Sequence, residues 1–156
     1  MGGVTEAARV WISWLGTARP DVEGTLTLTP THLEFRHAGG QPEDARVPLS
    51  HFVGPDDARI PLNAVRKVRR PLGAPVLEVE YVAGGEPVRV AFFFAQPPPV
   101  TTDGLWGRER RRRSQIAFVL QRGESVIETV KEWRGAVRAA VAGARRNAGE
   151  DVQGTR

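Results

Sequence analysis

Apolar and polar side chains alternate strictly along much of the first two-thirds of this chain, and that period of two dictates antiparallel sheet. Gly24-Thr25-Leu26-Thr27-Leu28-Thr29 steps between leucine and threonine. After a Pro30-Thr31 turn, His32-Leu33-Glu34-Phe35-Arg36-His37 alternates again, with Leu33 and Phe35 facing inward. A strand sends successive side chains to opposite faces, so each segment offers one face to a core and one to water. Residues 76–82 repeat the pattern, with Leu77, Val79 and Tyr81 inward and Glu78 and Glu80 on a face expected to be solvated. Gly84-Gly85 supports the tight turn into a partner strand over 88–94, because glycine accepts positive φ. Residues 10–15, rich in aromatic and β-branched side chains, form another strand. Residues 59–68 are predicted as a single short strand broken by Pro61. Residues 38–57, rich in Gly, Pro and Asp, mark an irregular connection.

The period changes after residue 124. Ser125 and Glu128 form a capping box, in which each side chain satisfies the other residue's free amide. Val126, Val130, Trp133, Val137 and Ala140 then recur at helical spacing, flanked by Ile127 and Val141. Gly143 is the expected C-cap, and residues 144–156 are expected to form a disordered tail. A helix with one apolar stripe cannot bury it alone, so it must cover an open part of the β layer, with Trp133 as the plug. Between sheet and helix, Pro97-Pro98-Pro99 ends the last strand, and residues 98–124 form an insertion holding Trp106 and an arginine run.

Composition removes several classes of function. With no cysteine, disulfides, Cys-ligated zinc, iron–sulfur clusters and thiol catalysis are all excluded. No apolar run approaches the ~20 residues of a membrane-spanning helix. Residues 1–9 lack a basic start followed by an apolar core, so no signal peptide is expected.

The charge is unevenly placed. The formal total is +4, yet Arg66-Lys67-Val68-Arg69-Arg70 carries +4 by itself, and Arg108-Glu109-Arg110-Arg111-Arg112-Arg113 carries another net +4. The rest of the chain therefore nets −4. Consecutive arginines repel one another and belong in solvent or against an anion. The planar guanidinium holds carboxylate or phosphate oxygens in pairs, so Arg66, Lys67, Arg69, Arg70, Arg108, Arg110, Arg111, Arg112 and Arg113 are the candidate partner-binding residues. A solvated charged loop is the plain alternative for the arginine run.

Several of these segments, taken in order, resemble the GRAM and bacterial pleckstrin-homology-like pattern. The likeness is carried by Glu23-Gly24-Thr25-Leu26-Thr27-Leu28-Thr29, by His32-Leu33-Glu34-Phe35, and by Arg59-Ile60-Pro61-Leu62-Asn63-Ala64-Val65-Arg66-Lys67-Val68. The following hairpin and Trp133 on the last helix look like the family's own. The resemblance implies a mainly β fold, a pleckstrin-homology-like partly open barrel of about seven antiparallel strands capped by one C-terminal α-helix. It covers a single domain over residues 8–143, from which the insertion at 98–124 is the departure. It also implies binding rather than catalysis, since eukaryotic members are associated with phosphoinositides, other anionic lipids or peptides. Twenty of the 22 basic residues are arginine, which looks like high-GC coding and fits a bacterial chain, where phosphoinositides are not the expected ligand.

Chemistry beyond binding finds little footing. His32, His37 and His51 show no spacing that places two on one helix face, and no metal site is expected. Glu78 and Glu80 form a carboxylate pair only in the formal sense of sharing a strand face. No glycine pattern opens a helix in the manner of a phosphate loop. The expectation is a cytoplasmic, non-enzymatic binding or adaptor domain without cofactor or catalytic residue, with an acidic protein or an anionic membrane surface as partner. The alternative is a nucleic-acid-binding protein using the same arginines as phosphate contacts. Oligomeric state is left open.

Overall fold

The computed structural model describes residues 6–16, 21–37, 57–71, 75–96 and 125–153. It is mainly β: seven antiparallel strands form an open barrel, and one long helix follows. The strands are β1 (Glu6–Trp14), β2 (Val22–Leu28), β3 (His32–His37), β4 (Ala58–Pro61), β5 (Val65–Arg69), β6 (Val76–Ala83) and β7 (Glu86–Phe93), and the helix is α1 (Ser125–Gln153). Their order in the sheet is β4-β3-β2-β1-β7-β6-β5.

Strand β1 joins two meanders. Its Glu6–Ile12 portion pairs with β2, while Trp11–Trp14 pairs with β7, so hydrogen bonding runs unbroken from β4 to β5. Those two strands remain the edges, and the barrel is not closed between them. A 3-10 helix, Leu62–Ala64, links them and buries Leu62. Residues 59–68, expected as one interrupted strand, are therefore two strands on opposite edges of the sheet. Pro61 lacks the amide that would continue the ladder, and the chain turns inward on Leu62 before resuming at Val65.

The alternation read from the sequence sets the core. Val10 and Ile12, Leu26 and Leu28, Leu33 and Phe35, Leu77 and Val79, and Val90 and Phe92 all lie in one buried cluster. Gly84 and Gly85 take φ of 59° and 81° in the β6–β7 turn, as that turn requires. From α1, Val130, Trp133, Val137 and Val141 join the cluster, with Ala144 packed against its rim. The Trp133 ring lies 5.9 Å from that of Phe94. The helix thus lies over the 3-10 link, β5 and β6, covering the opening between the two edges.

Two further expectations are corrected. The helix does not stop at Gly143, which does not have the positive φ of a C-cap; it continues to Gln153. Ala144 is held by the core, and the Arg145 guanidinium donates a 2.6 Å hydrogen bond to the Val65 carbonyl, so the turn past Gly143 is anchored to the sheet. Glu78, expected on a wetted face, is buried. Its side of the sheet carries a second apolar cluster of Val76, Ala91 and Phe93, with Trp11 and Leu15 packed against it.

Candidate functional site: a basic groove between β5 and α1

Strand β5 has the sequence Val-Arg-Lys-Val-Arg, and its first and fourth residues are buried while the other three are exposed. A register shift between Val65 and Lys67 explains two successive exposed residues, because a bulge lets Arg66 and Lys67 both face away from the core. Val65 and Val68 point beneath α1. The helix brings Arg138 and Arg145 to the same place, seven residues and about two turns apart on one face, with the buried Val141 between them. The result is a groove of about 410 Å³ with an apolar floor of Val65, Val68, Val141 and Ala142, lined also by Arg66, Lys67, Arg69, Arg138 and Arg145.

Few acidic groups answer these five cations. Arg69 stands 4.0 Å from Glu80, and Glu78 stands 3.8 Å from Arg89. These contacts run diagonally across the β5–β6–β7 face, where Arg69 lies opposite Glu78 and Arg89 opposite Glu80. Among the described residues, Arg66, Lys67 and Arg138 form no ion pair. Arg145 is committed to the Val65 carbonyl, a neutral partner, so its full charge still faces the groove. The buried Nε of Arg70, just beyond β5, has no hydrogen-bond acceptor among the described residues.

Of the candidate residues, Arg66, Lys67 and Arg69 are thus brought together at one groove, with Arg70 directly after the strand. Arg108, Arg110, Arg111, Arg112 and Arg113 lie outside the described residues. The sequence reading missed Arg138 and Arg145. The signal available for them was their spacing: both flank Val141 at the border of the apolar stripe, where a cation sits beside whatever the stripe covers.

His32 and His37 stand at the two ends of β3. His32 pairs its Nδ1 with the Thr31 hydroxyl at 2.8 Å, the His37 amide donates to Asp57 at 2.7 Å, and His51 lies outside the described residues. Among the described residues no three His, Asp or Glu side chains gather to hold a metal ion, and no helix is long and apolar enough to cross a membrane. No protein-family model and no curated protein matches the chain.

Proposed function

We propose that the chain is a non-enzymatic binding module of the pleckstrin-homology-like, GRAM-like kind, acting in the cytoplasm of a bacterium, and that its β5–α1 groove receives an acidic protein segment. One observation carries this reading: five cations from two elements line a single groove, and three of them have no ion-pair partner among the described residues. Cations held close without counter-charges repel one another, and an anionic partner relieves that repulsion. The open antiparallel barrel with Trp133 buried under its terminal helix supports the kinship suggested by the sequence. Arginine usage supports the bacterial setting.

The groove favours a protein partner over a bilayer or a duplex. Its apolar floor lies between a strand and a helix, so the occupant must be narrow enough to enter and must bring apolar groups as well as charge. Affinity measurements with an acidic peptide, anionic vesicles and duplex DNA, each with wild type and with Arg66→Glu plus Lys67→Glu, test the reading. The peptide is expected to bind best and to lose about tenfold or more in the double variant. Stronger binding to vesicles would move the partner to a membrane surface. Preference for DNA, with affinity falling steeply as salt rises, would move it to nucleic acid.

A further inference from the structure

The five cations of the groove are held unequally. Arg66, Lys67 and Arg138 are exposed and have no ion-pair partner among the described residues, and Arg69 stands near Glu80. Among the described residues, Arg145 is the one of the five that is hydrogen-bonded to the protein: its guanidinium donates a part-buried 2.6 Å bond to the Val65 carbonyl. Val65 is itself fixed, since it is fully buried and its amide donates to the Leu62 carbonyl. On the helix side, Val141 and Ala144 pack on the core within about one turn of Arg145. The Arg145 side chain is therefore held at both ends, by helix backbone and by sheet backbone. A guanidinium carries five N–H donors in one plane, and a carbonyl takes up a donor without cancelling any charge. The rest of the fork keeps a set orientation at the groove.

Resting on the proposed reading of this groove, we infer that Arg145 determines its specificity: it anchors one carboxylate of the acidic segment, while Arg66, Lys67 and Arg138 draw that segment in. Exposed cations on free side chains act at a distance. They speed the encounter with an anion and are screened by salt, but they hold it weakly, because ordering each flexible side chain offsets much of the attraction. For Arg145 that ordering is already complete in the folded chain, so gripping a carboxylate costs less freedom. Its planar fork can give a carboxylate two parallel N–H···O bonds, whereas an ammonium in the same place is only a point charge. Val65 and Val141 line the groove beside it, so the gripped carboxylate belongs to a segment with apolar neighbours. Charge brings the partner, and the geometry at Arg145 retains it.

Association and dissociation rates separate the two roles. The probe is a labelled synthetic peptide of Glu and Val, mixed with the full chain as wild type, Arg145→Lys, Arg145→Gln, and Arg66→Glu plus Lys67→Glu. Arg145→Lys keeps the charge and loses the fork, so the peptide is expected to associate as fast as with wild type and to dissociate about tenfold faster. Arg145→Gln loses the charge but still offers an N–H to the Val65 carbonyl. It is expected to keep the wild-type Tm and to release the peptide at least as fast as the lysine variant. The double charge reversal is expected to slow association about tenfold, most strongly at low salt, while dissociation changes by no more than about twofold. Release from Arg145→Lys at the wild-type rate overturns the anchor and leaves the groove as an acidic-partner site. Release from Arg145→Gln that quickens only in step with a fall in Tm does the same, by making the contact with Val65 purely structural. A wild-type chain that does not bind the peptide, or binding indifferent to Arg66→Glu plus Lys67→Glu and to both changes at Arg145, overturns the groove reading as well.

Discussion

Gly24 is fixed by the residues next to it in space. In β2, opposite Val10 and His37, it is buried under the Phe35 ring, and an added Cβ would lie 2.1 Å from the Arg36 carbonyl oxygen and 2.5 Å from the Phe35 ring. Neither backbone nor buried ring can yield cheaply, so Gly24→Ala is expected to lower stability by about 1–3 kcal/mol or more. Urea unfolding checks this, and an unchanged midpoint would mean that Phe35 has another place to go. Glu78 shows where residue-by-residue reading stops. Alternation assigned its face correctly, but the environment of that face depends on neighbouring strands. Val76, Ala91 and Phe93 are buried on the same side, so β6 and β7 are covered on both faces near these residues. The signal was Ala91-Phe92-Phe93-Phe94, a continuous apolar run of the kind expected of a strand buried on both faces.

The strands and the helix differed in how far local pattern could define them. β3 occupies the residues its alternation predicts, His32–His37, because one hairpin turn and two apolar positions settle its register. The end of α1 could not be read in the same way. Gly143 resembles a C-cap in sequence, but the contacts that carry the helix past it come from Val65, nearly eighty residues away. The two interpretations make opposite predictions. As a C-cap with positive φ, Gly143 replaced by Ala would destabilise the fold. Within a helix, where its Cβ would meet nothing within 4 Å, Gly143→Ala is expected to stabilise by about 0.5–1 kcal/mol, read as a rise in Tm. Trp133→Ala belongs to the same element and should cost about 3–5 kcal/mol, since the ring is 4% exposed and packs on Phe94. The site was legible to a similar degree. Arg66, Lys67 and Arg69 stand out because one short strand carries them, whereas Arg138 and Arg145 acquire meaning only when α1 is laid beside β5.

At the scale of the molecule, the open barrel and the helix depend on one another. The sheet order leaves β4 and β5 unpaired with each other, and the 3-10 link between them buries Leu62 beside the helix rather than beside another strand. Val130, Trp133, Val137 and Val141 supply the apolar surface that this opening lacks. A chain ended after residue 124 would keep every strand of the sheet while exposing Leu62, Val65 and Val68 to water. Antiparallel pairing alone does not then hold one packing, because the lost surface belongs to the same cluster that joins the two meanders. The expected outcome is a compact state that retains β circular dichroism in the far ultraviolet, loses its near-ultraviolet tryptophan signal and binds a hydrophobic dye. Adding a synthetic α1 helix should reverse all three. A sharp two-state unfolding transition in the shortened chain, with no dye binding, would instead mean that the seven strands form a self-sufficient core. The helix would then serve the groove alone, contributing Arg138 and Arg145 opposite β5 without contributing to the fold beneath them.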